Sequence, residues 1–199
     1  MSGFELSGPI DTERLRLRAF EPADLDVVAA MQADPEVVRF LEWGPRTKDE
    51  AAESLRKKIA ATAIRGEGDV LSLAVTLPHS GELVGDVVLA FVSGTHLRGE
   101  IGFVVRPDHG GRGYTTEAAR VLLRIAFVEL ELHKVMGHVE SRNLASARVL
   151  EKLGMRREAH LVENVFVKDE WQDELDYAIL EREWRARHEP TSRPVRTSG

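Results

Sequence analysis

The chain has 199 residues, 43% of them hydrophobic, no cysteine and a formal net charge of −6. This length closes one sizeable core but not two comfortable domains. The missing cysteine excludes disulfides, thiolate metal sites and a cysteine nucleophile, and the acidic balance argues against nonspecific nucleic-acid binding, which draws on cationic surface.

Seven histidines are scattered without an HExxH or other close ligand spacing, so no metal is expected. No apolar run reaches the length of a membrane span, and the opening residues lack a basic start followed by an apolar signal core. We therefore expect a cytoplasmic protein with no membrane partner.

In chain order, "TERLRLRAF" alternates Leu15, Leu17 and Ala19 with Arg14, Arg16 and Arg18, the period of a half-buried strand. "EPADLDVVAAMQADPEVV" follows as a helix, with Pro22 near its start, Leu25, Val28 and Met31 at helical spacing, and a stop before Pro35. A second helix is signalled in "RTKDEAAESLRKKIAATAIRG" by the Thr47–Glu50 capping box, with Gly66 as its stop. "VLSLAVTLPHSGELVGDVVLAFVS" reads as two strands around a turn at Pro78 to Gly81, and "RGEIGFVVRP" as a third strand ended by Pro107.

A glycine turn then opens a helix from about Thr116 to Leu130. The strand "KVMGHVES", the helix "NLASARVLEKLG" closed by Gly154, and the strands "AHLVENVFV" and "ELDYAIL" complete the body. After Trp184 the chain is rich in Arg, Pro and Ser without periodicity. Residues 1–184 thus read as one α/β domain built on a mixed sheet, and 185–199 as a disordered tail.

The turn "HGGRGYTT" admits several explanations. A Walker loop needs GxxxxGK[ST], and the lysine and its spacing are missing. A dinucleotide-binding turn needs GxGxxG in a first βαβ unit, but Thr116 stands at the third glycine and hairpins precede it. A plain strand-to-helix turn needs only glycines at positive φ. An anion site needs the same glycines, because the free amides and dipole of a helix start attract negative charge when backbone can approach closely.

"RPDHGGRGYTTEA" resembles the acyl-CoA pyrophosphate loop of the GNAT superfamily of N-acyltransferases, [QR]xxGx[GA] between a strand and a helix. Gly113 stands at the obligatory glycine, while Gly110 replaces the usual Gln or Arg, and Thr115 the usual Gly or Ala. Gly111, Tyr114, Glu117 and Ala118 agree with the "GxGYxTEA" form of the RimJ/RimL-like branch, which resembles ribosomal-protein alanine acetyltransferases. "TERLRLR", "GELVGDV", "NLASARVLEKLGM" and "EREW" agree with it in order, so the resemblance spans residues 11 to 184.

The resemblance implies a GNAT fold: one mixed, mostly antiparallel sheet of about seven strands, splayed in the middle and flanked by about four helices. It also implies acetyl transfer from acetyl-CoA, as co-substrate, to a primary amine of a protein N-terminus or small molecule, by direct attack through a tetrahedral intermediate. The pyrophosphate would meet Gly110, Gly111, Arg112, Gly113, Tyr114 and Thr115. The pantetheine arm would pair with Ile101, Gly102, Phe103 and Val104 and bond Asn143. Ser146 would protonate the departing thiolate, since Leu150 stands where many members carry a tyrosine acid.

Glu100, beside the expected thioester slot, is the first choice of base, with Glu140 and Glu42 as alternatives. Trp43 either lines the acceptor cleft or packs on the core. His138, Trp171 and Tyr177 read as structural. A homodimer accords with the family. A catalytically weak acyl-CoA-binding sensor or assembly protein remains the alternative, motivated by the departures at Gly110, Thr115 and Leu150. A nicotinamide-dependent oxidoreductase requires the hairpin assignments to be mistaken.

Overall fold

A computed structural model describes residues 3–188. Strands β1 (Phe4–Glu5), β2 (Ile10–Asp11) and β3 (Arg16–Arg18) lead into helices α1 (Leu25–Ala33), α2 (Pro35–Val38) and α3 (Lys48–Ala60). β4 (Ala63–Ile64), β5 (Val70–Thr76), β6 (Leu83–Ser93) and β7 (Arg98–Val105) follow, then α4 (Tyr114–Arg124), β8 (Lys134–Glu140), α5 (Leu144–Lys152), β9 (Arg156–Val167), β10 (Glu170–Leu180) and α6 (Glu181–His188). The main sheet has eight strands in the order β2-β3-β5-β6-β7-β8-β10-β9, and β1 pairs with β4 in a small separate sheet.

The alternation in "TERLRLR" works as expected: Leu15 and Leu17 are fully buried. The Thr47–Glu50 capping box forms and opens α3. Gly66 is not its stop, because the chain leaves the helix at Ala61 and is drawn into strand pairing. Thr62 bridges Leu71, and Phe4 and Glu5 pair with Ile64 and Ala63. Pairing to distant strands thus ends the helix before the glycine is reached.

The helix after the glycine turn starts at Tyr114, and its last turn, Ile125–Glu129, widens to π geometry. The terminal helix runs to His188, so residues 185–188 are helical and not disordered as the composition suggested; the rest of that expected tail lies outside the described residues. Trp184 anchors this helix, its ring 5.6 Å from that of buried Phe127.

Two apolar clusters cover the two faces of the sheet. The larger joins Leu73, Leu89 and Ile101 to Leu122 of α4 and Leu150 of α5. The smaller joins Ala74 and Leu83 to Val28 of α1 and Leu55 of α3. Every adjacent pair in the main sheet is antiparallel except β7 and β8. These two run parallel only from Arg98–Lys134 to Glu100–Met136. Beyond Glu100 they part, leaving the β8-facing edge of residues 101–105 unpaired, and the sheet opens in its middle.

Candidate active site

A groove of about 870 Å³ occupies this opening. It brings together Ile101, Gly102, Phe103 and Val104 of β7, Gly110, Gly111, Gly113 and Thr115 of the glycine turn, and Asn143 and Ser146 of α5. Glu100, Glu140, Glu42 and Trp43 also border it, and so does His138. Arg112 and Tyr114 do not. The Arg112 guanidinium turns back onto the Asp108 carbonyl at 3.3 Å, and Tyr114 packs on the larger core cluster with Arg14 5.1 Å above its ring. These two residues bring main chain to the loop, not side chains to the groove.

Gly111 and Gly113 take φ of +73° and +81°, in the left-handed region that glycine enters without penalty. Gly113 is the N-cap of α4. The Gly110 amide donates to the Pro107 carbonyl at 3.0 Å, and the Glu117 amide to the Gly113 carbonyl at 3.0 Å. Among the described residues no protein acceptor takes the amides of Gly111, Arg112, Gly113, Tyr114 or Thr115. Five consecutive donors therefore remain available at the positive end of a helix.

The loop is braced by residues almost a hundred positions upstream. Glu117 accepts from the Thr12 hydroxyl at 2.7 Å, the Arg14 amide at 2.9 Å and Arg14 Nε at 2.7 Å. Arg14 Nη1 also donates to the Arg112 carbonyl at 2.9 Å. The "TERLR" and "YTTEA" segments are thus two halves of one clamp, which neither reveals alone. Burial opposes ionisation of Glu117, but the Thr12 hydroxyl, the Arg14 amide and the Arg14 guanidinium outweigh it and hold its titration below the usual glutamate range.

On α5, Asn143 caps the helix, its Oδ1 accepting from the Ser146 amide at 3.1 Å, and among the described residues its Nδ2 has no protein partner. Ser146 Oγ has no protein partner among the described residues. Leu150 is buried, its methyls 3.0 and 3.3 Å from where a Cβ on Gly137 of β8 would stand. This close approach seats the start of α5 against the opening.

Strand register puts a row of acidic groups on the sheet face toward α1 and α3. Glu100 stands on β7, His138 and Glu140 on β8, and Glu174 and Asp176 lie directly opposite Glu140 and His138 on β10. Glu140 is almost fully buried and held by Arg142 Nε at 2.8 Å, which leaves it poorly placed to receive a proton. Glu42 is exposed and lies on the connection after α2. Trp43 has the Arg46 guanidinium 3.8 Å above its ring. Tyr177 is a core residue, while Trp171 is 58% exposed, its ring 5.4 Å from that of Phe166 at a tilt of 59°.

Sequence reading missed two further pairs. Lys58 of α3 contacts Asp86 of β6 inside the groove. Burial and the nearby Arg46 push the Lys58 ammonium down to about 8. His138 Nδ1 lies 2.6 Å from Asp176 Oδ1. No local motif announces either pair, because both depend on register between distant elements.

The chain matches the acetyltransferase (GNAT) domain family over residues 14–156. The uncharacterized N-acetyltransferase YnaD of Bacillus subtilis is 34% identical over 175 residues, covering 88% of this chain and 98% of YnaD. A GNAT-family acetyltransferase structure from Bacillus anthracis superposes with a TM-score of 0.79 at 33% identity, over 87% of this chain and 99% of that one. Spermidine N-acetyltransferase from Vibrio cholerae, solved with CoA and spermine, superposes with a TM-score of 0.73 at 26% identity, over 87% and 99% of the two chains. The parted strands, the glycine turn before α4 and this agreement along the sequence have one explanation: the chain belongs to the GNAT family and is an N-acetyltransferase.

Proposed function

We propose that the protein transfers an acetyl group from acetyl-CoA to the primary amine of a small cationic molecule. The observation that carries this reading is the row of unmatched amides from Gly111 to Thr115. A diphosphate needs several donors at close range, and a helix start led by glycines offers them. Bound acetyl-CoA supplies the acetyl group already activated as a thioester.

The remaining residues divide the work along the groove. The unpaired edge of Ile101 to Val104 offers main-chain groups to the peptide-like pantetheine arm, as a further strand would. Asn143, its Oδ1 committed to the cap, turns its Nδ2 donor toward the same arm. Ser146 donates to the sulfur as charge develops there. Glu100, which borders the groove, meets the incoming ammonium as its ion partner. The freed amine nitrogen forms the new C–N bond, the C–S bond breaks with its electron pair on sulfur, and the nitrogen's second proton passes by way of the Ser146 hydroxyl to sulfur, which leaves as the thiol.

Asp86 and Glu140 are matched by Lys58 and Arg142, and the carboxylates of Glu100 and Glu174 around the groove support an acceptor with more than one positive charge. Likeness to a spermidine acetyltransferase supports the same choice. A protein α-amine, the acceptor implied by the RimJ/RimL-like resemblance, would undergo the same reaction without using that charge.

The test is release of CoA thiol from acetyl-CoA with a panel containing spermidine, other amines and a short peptide with a free N-terminus. We expect amine-stimulated release, strongest with cationic small amines. Gly113→Ala should weaken CoA binding about tenfold, because its Cβ strains the left-handed turn by roughly 1–2 kcal/mol and meets Arg14 Nη2 at 3.4 Å, in the clamp that braces the loop. Acetyl-CoA binding with no amine-stimulated release would instead favour the sensor alternative.

A further inference from the structure

We infer that His138, oriented by Asp176, is the proton acceptor for the amine, with Glu100 as the amine's ion partner; this deepens the acetyl-transfer reading and rests on it. His138 lies opposite Asp176 in the β8–β10 register, and its Nδ1 is 2.6 Å from Asp176 Oδ1. An ionised carboxylate only accepts, so Nδ1 carries the ring proton and Nε2 presents its lone pair. Nε2 points the other way, toward β7, where Glu100 Oε2 is 3.7 Å distant. That separation is too long for a hydrogen bond between them. Nε2 is therefore left for a third group entering the groove that both residues border.

A bond between neighbouring strands would serve stability equally well; what sets this one apart is the free nitrogen facing the opening. The side chains of His138, Asp176 and Glu100 are 34%, 28% and 41% exposed, so the cluster is accessible to a solute. Proton chemistry also favours an imidazole. Ordinary carboxylates titrate about six units below an alkylammonium and imidazole about four, so proton transfer to imidazole is about a hundredfold less unfavourable.

In the step itself, one ammonium N–H bond breaks and leaves its electron pair on nitrogen. The Nε2 lone pair forms the new N–H bond, and the imidazolium later gives that proton to solvent. The charged groups facing His138 are Glu100 from β7, Asp176 and Glu174 from β10, Arg142-bound Glu140 on its own strand, and Lys58 across the groove from α3. Asp176 is a positioning residue: it fixes the tautomer and faces the charge that forms on the ring.

Two measurements test this. Long-range proton–nitrogen correlation on histidine-labelled protein, assigned with His138→Gln, should show the neutral His138 ring protonated at Nδ1. Asp176→Asn should shift population to the other tautomer, because its amide can donate to Nδ1. In parallel, kcat/KM is followed against pH with spermidine or the best acceptor of the amine panel. His138→Gln should lose about a hundredfold at neutral pH together with the acidic limb, while CoA affinity and melting stay near the parent values. Asp176→Asn should lose about tenfold.

A parent ring protonated at Nε2, or a His138→Gln enzyme that keeps its acidic limb and turnover, overturns the inference and leaves the acetyl-transfer reading standing. A parent enzyme that binds CoA and turns over no amine overturns both.

Discussion

Glu117 shows how much one side chain can organise when its partners come from elsewhere. Its three donors come from Thr12 and Arg14, and through Arg14 it fixes the carbonyl of Arg112 in the middle of the glycine turn. Hydrogen bonds to a charged group contribute about 1.5–3 kcal/mol each when buried, and Glu117 is only 12% exposed although Arg14 is 46% exposed. Allowing for that exposure, Glu117→Gln should destabilise the fold by about 1–2 kcal/mol at neutral pH, or roughly 2–8 °C in Tm for a chain of this size. The carboxylate titrates below its ordinary value, so its stabilisation is fully present above pH 4.5 and fades as pH falls through the lower folded value. Parent and variant melting curves should therefore converge in acid. A constant gap from neutral to strongly acidic pH would mean that the clamp does not depend on ionised Glu117. The pattern "GYTTEA" made Glu117 visible as a motif residue, but nothing within reach of it in sequence indicates what it holds.

At the scale of elements, α5 and the β7–β8 gap depend on each other. The helix start is legible: an asparagine followed three residues later by an acceptor-seeking amide is a cap whether or not anything binds. Its second duty follows from Leu150 packing on Gly137, which brings the cap to the place where β8 leaves β7. The two duties separate by substitution. Asn143→Asp keeps an oxygen for the Ser146 amide and should hold stability within about 0.5 kcal/mol of the parent, while on the proposed reading its lost Nδ2 donor and added charge should weaken acetyl-CoA binding. Asn143→Ala should lose the cap as well, at about 1 kcal/mol. Equal acetyl-CoA affinity in parent and Asn143→Asp, measured by calorimetry, would remove Asn143 from the binding site. The main order of strands and helices was readable because each has its own period and caps. The early end of α3 was not, since Thr62 is claimed by Leu71 and its neighbours by β1.

Across the whole molecule, the net charge of −6 is unevenly spent: Glu100, Glu174 and Asp176 share the face where β7, β8 and β10 adjoin the groove. Such a face attracts a polycation over a range set by the Debye length, about 10 Å at 0.1 M salt. We expect kcat/KM for spermidine to fall about tenfold between about 50 and 500 mM salt, and that of a singly charged amine to fall less; equal salt dependence for both would argue against electrostatic capture. Periodicity, turn chemistry and caps act over a few residues, so the sequence alone determined the order of elements, the glycine turn at the head of α4 and the Asn143 cap. Which side chains meet across the sheet was decided only in three dimensions. His138 faces Asp176 across 38 positions and Arg14 reaches Glu117 across 103, because strand register and the parting of β7 from β8 arise when helices pack on both faces at once.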